Sequence, residues 1–158
     1  MRRVIVCLIA CFGLFAATAP AMEMDSGSPE HVAEALAALQ AHKSSSAKTH
    51  LKMAIATMAE PKCARDHARE ALKAVKAGKR AMAIDHATNG AACEHLTYAV
   101  SAIQGGKTKV ASGHLMEAAA LKPYKSLSEA ALKELKSGHP ITAEALARKA
   151  LLKAKNAD

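Results

Sequence analysis

Aromatic residues are scarce in this 158-residue chain: no Trp, two Tyr and two Phe, 3% in all. Both Phe, Phe12 and Phe15, lie near the N-terminus. A surface for stacked oligonucleotide bases needs aromatic platforms, so that class of partner is disfavoured. Sandwiches and barrels draw on β-branched and aromatic residues and are disfavoured too. Several catalytic signatures are also missing. There is no Cys-x-x-Cys-His for covalent haem, and neither His-Glu-x-x-His nor a Gly-rich phosphate loop before a helix. Paired Glu-x-x-His motifs of a di-iron bundle do not occur, and nothing arranges Ser, His and acids as a nucleophile site. The sequence is read as that of a non-enzyme.

What is present is alanine, the commonest residue type of the chain. Ala has the highest helix propensity and little side chain to bury. A thin, all-α assembly follows.

The N-terminus reads as an address. Arg2 and Arg3 precede an apolar run from Val4 to Ala17, short for a membrane span. Ala19-Pro20-Ala21 fits a small-x-small cleavage site. Residues 1–21 are therefore assigned as a signal peptide, 22–28 as a disordered lead and 29–155 as one helical-hairpin bundle domain. Leu8-Ile9-Ala10-Cys11 resembles a lipidation tetrad but sits too close to Met1 to leave an adequate apolar stretch before it. A periplasmic protein is expected, with no membrane span after cleavage. Losing Arg2 and Arg3 takes the formal charge from +8 to +6, since all 14 acids lie beyond residue 21. A basic chain can bind nucleic acid, but export argues against that partner, and the lysines read as a solvated helix face.

Self-similarity organises the rest. One pattern recurs: His, an apolar residue, two variable residues, Ala, an apolar residue, two variable residues, then an apolar residue. It starts at His31, His50, His67, His95 and His114, and more weakly at His86, whose copy runs through Gly90-Ala91 to Glu94. Two further copies start at Leu127 and Leu146 without histidine. The apolar positions fall on one helical stripe, and the histidine sits about 100° round from it, at its flank.

The copies pair. The step within a pair is constant (31/50, 67/86, 95/114, 127/146), whereas the step from one pair to the next varies. Constant spacing inside a unit and variable spacing between units define a helical hairpin. Gly78, Gly105-Gly106 and Gly138 fall in the turns, and His42-Lys43-Ser44-Ser45-Ser46 does so in the first unit. Gly suits the helix C-cap there, and Ser the N-cap that follows. Pro61 and Pro123 punctuate the first and third junctions. The second has no proline, so residues 79–104 can form one helix, bent near Asn89-Gly90. The short step from His86 to His95 at that junction is about half a turn of helical phase, so the two halves bury opposite faces. The expectation is an antiparallel up-and-down bundle of hairpins.

Six of the eight histidines occupy equivalent repeat positions: His31, His50, His67, His86, His95 and His114. In a hairpin with approximate twofold symmetry, both members of a pair face the shared seam or both face away. Facing it, across axes roughly 8–10 Å apart, they can share one ion. Imidazole suits Cu, Ni and Zn. Glu34, Asp66, Glu70, Glu94 and Glu117 are candidates to complete the shell, and Met53, Met58, Met82 and Met116 to add soft contacts. Against this, duplication repeats any residue, useful or not, and no two histidines share the i, i+4 spacing on one helix. Binding of divalent metal ions, copper first, stands beside a helical interaction module and a purely structural bundle.

The repeated His-containing element, with its Gly turns and export signal, resembles the small periplasmic metal-binding protein family (SmbP-like), over roughly residues 31–122. The resemblance implies a helical bundle that binds several divalent ions, copper above all, with nickel and zinc accepted. The same six histidines match its motif. The family is richer in histidine; here the extra positions are residues such as Ala38, Ala74 and Ala102, and the last hairpin keeps only His139, in its turn. A reduced capacity is implied.

Cys63 and Cys93 are the cysteines left after cleavage, and Gly78 lies midway between them. A hairpin turning there puts both at its open end. A disulfide is the first expectation in an oxidising compartment, a thiolate site near His67 and His95 the second, and two unrelated thiols the third.

Overall fold

A computed structural model describes residues 31–58 and 61–157. The segments expected to be a signal peptide and a lead, with Cys11, lie outside these residues. Among the described residues seven α-helices follow one another: α1 (His31–Gln40), α2 (Ser44–Thr57), α3 (Lys62–Lys76), α4 (Arg80–Gln104), α5 (Thr108–Ala120), α6 (Lys125–Lys136) and α7 (Pro140–Lys155). A 3-10 turn at Lys122–Tyr124 joins α5 to α6. No strand occurs among the described residues, and no helix there is long and apolar enough to cross a membrane.

All four hairpin turns are the same object. At the same place in each hairpin, one residue has positive φ: His42 (60°), Gly78 (72°), Gly106 (68°) and Gly138 (78°). In each turn the next amide reaches back five residues, as in Lys43 N to Ala38 O (2.8 Å) and Lys79 N to Ala74 O (2.9 Å). This is the Schellman closure, which satisfies the last carbonyls of the outgoing helix. The turn leaves one residue before the next helix. The N-caps are therefore Lys43, Lys79, Lys107 and His139, with no side-chain capping bond. The serines expected to cap α2 lie instead inside its first turn, because the Schellman turn ends at Lys43.

The helix seams are lined with alanine. The residue four places after each repeat start is buried in all eight copies: Ala35, Ala54, Ala71, Gly90, Ala99, Ala118, Ala131 and Ala150. Three places before the start, Ala47, Ala64, Ala83, Ala92, Ala111 and Ala143 are buried as well. Such small side chains let helix axes approach closely and bring flanking groups within reach of each other. Tyr124 takes the corresponding place before Leu127. It is buried, and its hydroxyl donates to Asn89 Oδ1 at 2.6 Å.

Helix α4 organises the molecule. Its 25 residues run unbroken through Asn89-Gly90, about 37 Å at 1.5 Å per residue. Its first half closes a ring with α1, α2 and α3, and its second half a ring with α5, α6 and α7. Arg80, at the start of α4, donates to Leu39 O (3.0 and 2.9 Å) at the end of α1. Gln104, at the end of α4, donates to Glu144 near the start of α7 (2.9 Å). The hairpins thus form two four-helix rings end to end, sharing one helix. Ala83, Ala87 and Gly90 are buried in the first ring, and Ala92, Leu96, Ala99 and Ile103 in the second. These two stripes lie on roughly opposite sides of the helix. Where they overlap, Gly90 to Leu96 are all buried, including Cys93, Glu94 and His95.

Candidate metal centre

The three histidine pairs meet, one in each of the first three hairpins. Ring centroids are 6.3 Å apart for His31–His50, 5.9 Å for His67–His86 and 5.8 Å for His95–His114, with interplanar angles of 39°, 33° and 37°. The histidines therefore face the shared seam, across the gap left by the buried alanines. Leu127 and Leu146 hold the corresponding places in the fourth hairpin. His42 and His139 lie in turns; His139 Nδ1 is 3.0 Å from Glu134 Oε2.

What surrounds each pair differs, and the difference comes mainly from the position one helical turn after each histidine. After His31 that position is Glu34, after His67 Glu70, after His95 Tyr98 and after His114 Glu117. Among the described residues only the first pair makes a compact three-donor cluster. His31 Nδ1 donates to Glu34 Oε2 at 3.1 Å, and His50 Nδ1 lies 2.9 Å from the same oxygen. One ligand atom from each of the three side chains falls within 4.8 Å of the others. The two imidazoles hold the Glu34 carboxyl below its usual range, the hydrogen bond from His31 first. His31 is buried, whereas Glu34 is half exposed, so the cluster opens to solvent on the carboxylate side.

The second pair is partly committed elsewhere. His67 Nε2 donates to Ala154 O at 2.9 Å, tying α3 to the end of α7. Glu70 is engaged by Lys73 at 2.6 Å, and that contact lowers its pKa most, with His86 and His67 adding smaller effects. The pair opens onto a cleft of about 570 Å³ that Cys63 and Lys155 also line. The third pair is the deepest. His95 is almost fully buried, and His114 also stacks on Tyr98 at 5.3 Å. Burial, with a smaller push from His114, takes the His95 pKa down to about 4, and Glu117 opposes the shift. His95 is thus neutral at neutral pH, the form that ligates metal.

The other candidate ligands divide. Asp66 pairs with Arg69 at 3.2 Å, while Glu94 is buried in the junction of the two rings. Met58 is core; Met53, Met82 and Met116 are exposed. Cys63 and Cys93 are brought together as free thiols, in side-chain hydrogen-bond contact with each other. That bond holds the Cys63 thiol below its ordinary range; the same contact and burial push Cys93 up. Comparison with protein-family models, with curated proteins and with solved structures gives no match for this chain.

Proposed function

We propose that this protein binds divalent transition-metal ions, copper foremost and nickel or zinc as well, through its repeated histidine pairs, in the periplasm. The carrying observation is the His31–Glu34–His50 cluster: two imidazoles and a carboxylate from adjacent helices, with donor atoms within 4.8 Å of one another. Two imidazoles and a carboxylate suit copper, nickel and zinc, with water to fill the remaining positions. The leader read at residues 1–21 supports export. The absence from the sequence of nucleophile, haem and zincin motifs supports binding without catalysis.

Isothermal titration of the metal-free protein with Cu²⁺, Ni²⁺ and Zn²⁺ is the direct test. Heat of binding is expected for each, and binding should weaken as pH falls through about 6.5, where free imidazole protonates, with His95, whose pKa is down to about 4, the exception. Replacing His31 and His50 by Gln should remove the tightest site. Replacing all six paired histidines should remove most binding, and unchanged stoichiometry in that variant refutes the assignment.

A second reading, a helical interaction surface, draws on Ile141 and Leu152, which are exposed on α7. About three helical turns apart, they share one face of that helix. Capture of an envelope protein that is lost in Ile141→Lys/Leu152→Lys, with metal titration unchanged, would favour it.

A further inference from the structure

The histidine pairs leave one group of metal-ligating side chains unused. Cys63 lies in the first turn of α3, and Cys93 in the stretch of α4 that both rings bury. Cys63 is one helical turn before His67, and Cys93 about two turns after His86. In antiparallel helices these offsets meet at the open end of one hairpin, and the two thiols are in hydrogen-bond contact there. The two sulfurs differ in access. Cys93 is fully buried, whereas Cys63 is partly exposed and lines the 570 Å³ cleft with His67, His86 and Lys155.

A dithiol of this kind selects among metals. Divalent zinc prefers four ligands. Among the described residues the one group of three or more His, Cys, Asp or Glu donors in mutual reach is His31–Glu34–His50, so no third donor of these types completes a cluster within 4.8 Å around the two sulfurs. Soft monovalent copper prefers thiolate, and its single charge and softness let two sulfurs satisfy it in a near-linear arrangement, whereas zinc, equally d10 but doubly charged, calls for four donors. We propose that Cys63 and Cys93 form a site for one monovalent, thiophilic metal ion of the Cu(I) type, distinct from the histidine pairs. The ion enters from the cleft and meets Cys63 first. Both S–H bonds break, two protons leave to solvent, and two S–metal bonds form. The resulting bis-thiolate carries one net negative charge, which the Lys155 ammonium at the cleft wall offsets. No electron changes hands in the step. The site extends the metal-binding reading to a second class of ion.

The test uses the full chain with Cys7 and Cys11 replaced by Ser, reduced and kept anaerobic. Cu(I) is titrated in competition with a chromophoric Cu(I) chelator, while the ultraviolet thiolate-to-copper charge-transfer band is followed. One equivalent is expected to be withdrawn from the chelator with growth of that band. Cys63→Ser should abolish the band and lower the affinity at least tenfold. Because Cys93 is buried, Cys93→Ala serves as a second variant, checked for helicity by circular dichroism. The variant with all six paired histidines changed to Gln should keep the Cu(I) site and lose divalent binding, so the two readings fail separately. Equal chelator competition by the parent and Cys63→Ser would overturn the proposal. So would isolation of the wild-type protein from the cell envelope with these two cysteines already joined as a disulfide.

Discussion

A single residue sets the difference between the first turn and the other three. His42 occupies the left-handed position that glycine takes at 78, 106 and 138. For an L-residue that conformation costs roughly 1–2 kcal/mol, and glycine's greater freedom in the unfolded chain offsets part of the difference. His42→Gly is therefore expected to stabilise the protein by about 0.5–1 kcal/mol, read from urea midpoints, and to leave metal stoichiometry unchanged. His95 gives the opposite kind of residue effect. The unfolded side chain takes up a proton near pH 6.5, whereas the folded one resists until about 4. Between those values the unfolded state binds more protons, so stability falls as pH falls and is flat with respect to this group above about 6.5. The full loss is on the order of 3 kcal/mol. Urea unfolding of metal-free protein at pH 7.5 and 5 should show about 2 kcal/mol of it, and His95→Leu should flatten the slope while His114 and Glu117 remain.

At the scale of the element, two glycines inside helices make opposite predictions. Gly113 lies within α5 with nothing within 4 Å of an added Cβ. Gly113→Ala should stabilise by about 1 kcal/mol, the helix-propensity difference. Gly90 stands where seven of the eight repeat copies have alanine. A Cβ there would lie 2.9 Å from Val32 Cγ1 and 3.2 Å from His67 Cβ. Val32 is buried and stiff at χ1, so overpacking of about 1–3 kcal/mol exceeds the propensity gain. Gly90→Ala is expected to lower the urea midpoint, and a rise would show that α1 and α3 can withdraw from α4 at little cost. The hairpins themselves were legible because their period is local: one stripe, one constant spacing within each pair and one turn geometry. The serine caps were misread because a Schellman turn hands directly from the left-handed residue to the next N-cap.

For the whole molecule, the shared helix decides how the parts behave together. Residues 90–96 are buried by both rings at once, and Tyr124, Asn89 and the C-terminal end of α7 meet beside them. Neither ring can open fully without exposing this stretch. Hydrogen exchange followed by mass spectrometry should place the slowest amides in residues 90–96, and thermal unfolding followed by circular dichroism should show one helical transition. Two separated transitions would mean that the rings unfold independently and that α4 is only a linker. Metal added before heating should raise the midpoint, with the logarithm of free metal once it exceeds the dissociation constant, more for the wild type than for His31→Gln/His50→Gln.

Composition and periodicity by themselves determined the helical class, the four hairpins, their turns, and which histidines form pairs. These follow from interactions within a single hairpin, where spacing along the chain translates directly into position on a helix. The opposite faces of α4 were legible for the same reason, since the step from His86 to His95 is a half-turn of phase. Packing between distant elements decided the rest. That the hairpins close into two rings rather than one continuous bundle depends on α1 and α7 both returning to α4. That Glu34 gathers two imidazoles while Glu70 is held by Lys73 depends on side-chain partners one turn away, which the repeat pattern does not rank. His67 is drawn to Ala154, far along the chain, and no local spacing encodes that contact. A repeat dictates equivalent positions, but burial and neighbouring charge, which differ from hairpin to hairpin, make those positions chemically unequal.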